Sequence, residues 1–275
     1  IIMIKCGITG SKGVLGRRIK QNLPYKFYEF KKDITKKKEL KDWIDKNNFD
    51  IFIHLAAKVP ARRVHKGYKN SYNVNVNGTL NLIDALIKKK IKPKWLFFSS
   101  TSHVYKLALK SSKINEKEVA KPQTKYGKTK FIAENYLKKI LKQSGIKLCI
   151  GRIFSFTDEN QKIPFVIPSI TKKIKSSKKK ITLYELNHYR DFVNTKDVVS
   201  AIDLLRRRKA EGIYNIGSGN KFNLKTIAHL IAKKFSKKIN FIDSKKTTYL
   251  ISNNKKILKL NWKPRKFNMN LKYFY

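Results

Sequence analysis

Tyr126 and Lys130, in the run Tyr126-Gly127-Lys128-Thr129-Lys130, stand four positions apart at the start of an amphipathic stretch. On a helix this spacing puts both on one face, so the ammonium can lie near the phenol. A tyrosine titrates near ~10, and acid–base work at neutral pH asks for a shift of about three units, about 4 kcal/mol. One cation at ~5 Å in an effective dielectric near 20 supplies roughly 3 kcal/mol of it. A second group of hydroxyls, Ser99-Ser100-Thr101, ends an apolar run upstream of Tyr126. A hydroxyl there can hydrogen-bond the substrate oxygen whose proton Tyr126 gives or takes. Lysine is abundant enough that Tyr28 and Lys32 repeat the spacing by accident, but Tyr28 lies on a predicted strand.

A phosphate-binding signal stands at Thr9-Gly10-Ser11-Lys12-Gly13-Val14-Leu15-Gly16, directly after an apolar strand and at the opening of a helix. Gly10 and Gly13 permit a tight turn and close backbone approach to a pyrophosphate. Gly16 lets the helix pack closely, and that helix presents free N–H groups to the phosphates. The expected cofactor is NADP or NAD, and an oxidised nicotinamide would add the positive charge that completes the shift of Tyr126. After the second strand, Tyr28-Glu29-Phe30-Lys31-Lys32 offers Glu29 to a ribose, while Lys12 and Lys31 favour the extra phosphate of NADP. His54, His65, His103, His188 and His229 show no metal-ligand spacing.

The elements that must position these groups are legible as alternating apolar runs and amphipathic stretches. Predicted strands are 2–8, 26–30, 51–55, 95–99, 147–150 and 213–216, with helices near 16–23, 37–46, 72–89 and 126–143. This rhythm predicts an α/β fold, a Rossmann-type doubly wound parallel sheet. After Ile153 it breaks: a helix near 167–175, a hairpin strand at 181–184, a helix at 224–235 and a strand at 239–242. The expected division is a dinucleotide-binding domain over 1–153, with 188–219 returning to it. A small C-terminal substrate-binding cap would be made of 154–187 and 220–275, beside the ligand-binding edge of the sheet.

The 275 residues, 41% of them hydrophobic, suffice for a full core, and no apolar run reaches the roughly 18 residues of a membrane span. Ile1-Ile2-Met3-Ile4 is too brief an apolar start for a signal peptide, and Met3 is the expected natural start. Cys6 and Cys149 both fall in predicted strands, as buried thiols of a reducing compartment do, so a cytoplasmic protein is expected. Lys+Arg 64 against Asp+Glu 18 gives a net charge of +46. The lysines are spread along the whole chain, and runs such as Lys36-Lys37-Lys38, Lys88-Lys89-Lys90 and Lys178-Lys179-Lys180 fall at helix ends or in loops. Such a charge normally suggests nucleic acid, but its spread, without zinc-finger spacing or an RNA-binding aromatic signature, argues against a nucleic-acid partner. It would still draw in an anionic substrate.

Taken together, the segments resemble the extended short-chain dehydrogenase/reductase superfamily of nucleotide-sugar epimerases, dehydratases and ketoreductases. The resemblance rests on the glycine motif, Leu55-Ala56-Ala57, Asn75-Val76-Asn77-Gly78-Thr79, Ser99-Ser100-Thr101, Tyr126-xxx-Lys130, Arg190-Asp191-Phe192 and Tyr214-Asn215-Ile216-Gly217, in the family's order over residues 4 to 219. It implies Thr101, Tyr126 and Lys130 as the catalytic set. It implies a cofactor held by Gly10, Lys12, Gly13, Val14, Leu15 and Gly16, with Asp33 and Ile34 near the adenine. Leu55, Ala56, Ala57, Asn75, Ser99, Tyr126, Lys130 and Ile153 would lie along the rest of it. A nucleotide-sugar substrate would meet Lys58, Thr101, Ser155 and Arg190, the last at its diphosphate, and a homodimer would form through helices 72–89 and 126–143. Ser155 stands where sugar-nucleotide epimerases place an asparagine, Thr157-Asp158 replaces a tyrosine–glycine pair, and Ser102-His103 replaces the acidic pair of dehydratases. Three classes follow: a reductase of a nucleotide-linked 4-keto-6-deoxy sugar, which Leu55-Ala56-Ala57-Lys58-Val59 and the short cap favour; a 4-epimerase with retained NAD; and a non-catalytic ligand-binding relative or basic scaffold.

Overall fold

The computed structural model describes residues 3–58, 67–178, 180–244 and 246–265. Val59, His65, Lys179 and the tail 266–275 lie outside the described residues. The first half alternates β1 (Lys5–Thr9), α1 (Val14–Asn22), β2 (Lys26–Phe30), α2 (Lys37–Lys46) and β3 (Ile51–His54). Next, α3 (Gly67–Tyr72) runs through a π turn (Asn73–Asn77) into α4 (Gly78–Ile87). Then come β4 (Trp95–Thr101), a 3-10 turn (Ser102–Val104), α5 (Lys125–Leu141) and β5 (Lys147–Ile153). The second half holds β6 (Ser155–Thr157), α6 (Val166–Lys175), β7 (Lys180–Tyr184), β8 (His188–Arg190), β9 (Phe192–Asn194) and α7 (Thr195–Arg207). It closes with β10 (Gly212–Ile216), β11 (Phe222–Asn223), α8 (Leu224–Lys234), β12 (Lys238–Ile242), β13 (Thr248–Leu250) and α9 (Lys255–Leu258).

Six strands form one parallel sheet in the order β10-β5-β4-β3-β1-β2. The chain moves outward from β1 to β2, then returns to the other side of β1 to lay down β3, β4 and β5. Strand order thus reverses between β1 and β3, and a crevice opens there beyond the carboxyl ends of the strands. Helical cover on both faces leaves no solvated side, which is why the strands read as near-continuous apolar runs. Alternation along β4 sends Phe97 into the core shared with Val198 and Ile202 of α7, and Phe98 into the opposite core with Leu82 and Leu137. Each fully buried phenylalanine contributes about 1.5–3 kcal/mol. Helix α7 is not among the elements predicted above, although Asn194 caps it through Lys196 N and its apolar residues recur with helical period.

Beyond the sheet, α6 and α8 share a separate apolar cluster containing Ile167, Ile174, Leu183, Ile227 and Ile231. The segment 181–184 is not a hairpin strand. It pairs in parallel with β12, Ile181 opposite Ile239, because its partner arrives only after α7, β10 and α8.

His54, at the end of β3, ties three elements together and is fully buried. Thr79 Oγ1 donates to Asn75 O (2.7 Å), so it accepts from His54 Nε2 (2.9 Å), while His54 Nδ1 accepts from Thr9 Oγ1 (2.6 Å). Burial, seconded by the charge of Lys130, pushes the imidazole down to about 3. The unfolded chain therefore binds a proton below the ordinary histidine value of 6.5 that the native chain refuses. Stability from this site is complete above that value and is lost as pH falls, by about 2 kcal/mol at pH 5. The melting temperature should fall further between pH 7 and pH 5 in the parent than in His54→Gln; equal falls would exclude His54 as the cause.

Candidate active site

The crevice at the strand reversal is a cleft of about 330 Å3 walled by the segments that leave β1, β2 and β3, namely 9–13, 30–34 and 55–57, with Val74 from the π turn. Gly10 has φ +72°, and a Cβ there would stand 2.7 Å from the amide nitrogen of Ala56. The turn closes by Gly13 N donating to Gly10 O at 3.0 Å. Gly16 abuts the same carbonyl, 2.4 Å from where its Cβ would be, so α1 packs hard against the loop. Helix α1 begins with no side-chain cap, and its first-turn amides are suited to an anion. These residues fit the pyrophosphate of a dinucleotide.

Gly10, Lys12, Gly13, Asp33, Ile34, Leu55, Ala56 and Ala57 all line this cleft, as do Lys31, Lys32 and Phe30. Val14 is half-buried and Leu15 buried at the head of α1. Asp33 Oδ1 accepts from Thr35 N (2.9 Å) and Thr35 Oγ1 (2.8 Å), and those bonds hold its carboxyl below the usual range. Glu29 is outside the lining. Burial would raise its pKa, but a 2.9 Å bond from Lys20 and the nearby Lys31 hold it low, so it is already engaged. Asn75 is buried and braces two segments: Oδ1 accepts from Lys58 N (2.7 Å), and Nδ2 donates to Lys58 O (3.0 Å) and Thr129 Oγ1 (2.9 Å). Thr129 in turn donates to Tyr126 O at 2.8 Å. Val74 carries no sequence signal beyond its place beside Asn75.

Thr101 ends β4 opposite Ile153 of β5, two positions beyond Ser99, and its Oγ1 accepts from His103 N at 3.3 Å. Thr124 caps α5, accepting from Gly127 N at 3.0 Å. Gly127 then packs so tightly that a Cβ would lie 2.1 Å from the carbonyl oxygen of His103. This contact docks the start of α5 on the turn that follows Thr101, and it sets Tyr126 beside it, with the His103 and Tyr126 rings edge to face at 6.3 Å. Burial pushes the Tyr126 phenol up to about 12. Lys130 lies one turn deeper, 1% exposed, its Nζ 4.0 Å from the centre of the Phe98 ring. Burial pushes it down to about 7, and Glu134 opposes that fall. The protein's own groups therefore do not lower Tyr126 as its spacing from Lys130 suggests; burial sets the direction.

On the other side, Ser155 is half-buried at the head of β6, opposite Phe192. Lys58 is exposed. Arg190 Nη1 donates to Tyr189 O (2.7 Å) and Thr248 O (3.1 Å), and Nη2 to Thr248 Oγ1 (3.2 Å), so part of its donor fork is held by its own sheet. Asp158, in the segment where the sequence departs from the family, is buried and grips Arg18 of α1 with bonds of 2.7 and 3.1 Å. Among the described residues no three His, Cys, Asp or Glu stand close enough to hold a metal, and no helix is long and apolar enough to cross a membrane.

The family model for GDP-mannose 4,6 dehydratase matches residues 10–270. The chain is 27% identical over 189 residues to GDP-6-deoxy-D-mannose reductase of Pseudomonas aeruginosa, covering 66% of this chain and 62% of that protein. It is 32% identical over 211 residues to a UDP-glucose 4-epimerase of Mycoplasma genitalium, covering 67% and 60%. The matched part thus spans about three-fifths of each relative. Its fold is similar to that of RMD from Pseudomonas aeruginosa complexed with NADPH, with a TM-score of 0.86 and 20% identity over 99% of this chain and 96% of that one. A match over nearly the whole chain, on a doubly wound sheet with a glycine turn at its strand reversal, shows that this chain belongs to the GDP-mannose 4,6 dehydratase family of the extended short-chain dehydrogenase/reductases, which are NAD(P)-dependent enzymes.

Proposed function

We propose that the chain reduces the 4-keto group of a nucleotide-linked 6-deoxy sugar. The observation that carries this reading is the docking of Gly127 on the His103 carbonyl, which joins the Thr101 strand end to the Tyr126 turn. The reduced cofactor, when bound, supplies the hydride that goes to C4. Tyr126 gives its proton to O4, and a phenol that burial keeps protonated at neutral pH suits a donor. Thr101 polarises the carbonyl by a hydrogen bond, and Lys130 holds the nicotinamide ribose. Lys58 and Ser155 border the sugar, and Arg190 meets the diphosphate by charge-assisted bonds. Segments 154–187 and 220–275 would form the substrate-binding cap. Lys12 and Lys31 at the cleft favour NADP over NAD, the more so because Glu29 is engaged with Lys20. A cytoplasmic homodimer joined through helices 72–89 and 126–143 completes the proposal.

A reductase exchanges its cofactor at every turnover, whereas a 4-epimerase keeps it, since the hydride leaves C4 and returns to the other face. Purified protein should therefore carry little dinucleotide through gel filtration. With GDP- or dTDP-linked 4-keto-6-deoxy sugars it should oxidise NADPH in proportion to product. Retained NAD together with interconversion of two sugar nucleotides, without net cofactor consumption, would make it an epimerase instead. Ser155, in place of the epimerase asparagine, supports the first outcome.

A further inference from the structure

Four elements behind the candidate site are joined by a chain of buried polar side chains that the proposed reaction does not use. Glu134 of α5 is fully buried, and Arg152 of β5, 3% exposed, donates to both its oxygens: Nε to Oε1 at 3.1 Å and Nη2 to Oε2 at 2.7 Å. Ser100 of β4 donates its hydroxyl to the same Oε1. The Arg152 guanidinium lies 4.7 Å from the centre of the Tyr105 ring, and the Tyr105 hydroxyl donates to Asn215 Oδ1 of β10 at 2.8 Å. Such a pair is an expensive way to join a core, since apolar replacements of similar volume are often as stable or more so. Its position gives it another use. Glu134 follows Lys130 by one helical turn on the same face, and Ser100 adjoins Thr101.

We propose that Glu134 is a positioning residue: braced by Arg152 and Ser100, it locks α5 to β4 and keeps the Lys130 ammonium charged and in place at the base of the site. This rests on the reading of Lys130 as the group that holds the nicotinamide ribose. Among the described residues, His54 approaches from β3 and is neutral, β4 offers the Phe98 ring, and Tyr126 on the same helix is a protonated phenol. Among the described residues, Glu134 favours the charged form against burial, which has already brought Lys130 down to about 7. In Glu134→Gln that support is lost and Arg152 is left as an uncompensated cation, so Lys130 gives up its proton at lower pH.

NADPH and NADH binding, followed by cofactor fluorescence from pH 5.5 to 9, tests the idea without a sugar substrate. Parent affinity should fall on the alkaline side as Lys130 deprotonates, and in Glu134→Gln this limb should move to lower pH by about one unit or more. Glu134→Gln combined with Arg152→Met removes both charges at similar volume; it should fold and show a limb displaced the same way, which covers a single variant that fails to fold. A merely structural role would weaken binding equally at every pH. Lys130→Met separates the two ideas. If it binds both cofactors as tightly as the parent, the reading of Lys130 is wrong. If Lys130→Met weakens binding while the folded Glu134 variants keep the parent limb, the role given to Glu134 is overturned.

Discussion

Tyr126→Phe is expected to lower turnover by about 10²–10⁴-fold, the usual contribution of one acid–base group, while folding and cofactor affinity stay at the parent level. The separation follows from the contacts. The ring packs edge to face with His103, and the backbone carbonyl accepts from Thr129; phenylalanine preserves both. Only the hydroxyl is lost, and with it the proton that would go to O4. The side chain is half-buried, and losing its hydroxyl takes a polar group out of a desolvated setting, so the melting temperature should not fall. Initial rates of NADPH oxidation with an accepted 4-keto sugar, beside NADPH titration, give both quantities. Parent-like turnover in this variant would end the assignment of Tyr126 as donor, whichever sugar is used.

Gly127→Ala should be nearly as damaging, although it adds one methyl group and removes no functional atom. The added Cβ would stand 2.1 Å from the oxygen and 2.8 Å from the carbon of the His103 carbonyl, both backbone atoms that cannot rotate aside. Either α5 or the turn at Ser102–Val104 must move, and a displacement on the order of 1 Å between Tyr126 and Thr101 costs on the order of 10²-fold in rate. Overpacking of this kind also removes about 1–3 kcal/mol of stability. The adenine half of the cofactor site, built from other loops, is untouched, so kcat should fall far more than cofactor affinity. Unchanged kcat and melting temperature would show that this contact does not set the distance between the two groups.

Much of this design is local, and local features are what a sequence displays. The glycine turn was legible because a strand, three glycines and a helix follow one another directly, and the cleft indeed forms there. Tyr126 and Lys130 were legible as neighbours because one helix carries both. Other features depended on contacts between distant segments. Nothing near 181–184 announces that its partner is 238–242 in parallel, and although 213–216 reads as a strand of the sheet, nothing in it names β5 as its neighbour. The Glu134–Arg152 pair joins residues on different elements, and either one alone reads as an ordinary surface charge on a chain crowded with them. Electrostatics diverged furthest. The four-residue spacing argued for a lowered tyrosine, yet the folded protein raises it, because the spacing reports how close a cation can come while only packing decides how much water is lost. Residue types and their order along the chain determined the sheet, the turn and the candidate pair; tertiary burial decided which of those groups carry charge, since desolvation is a property of the assembled core.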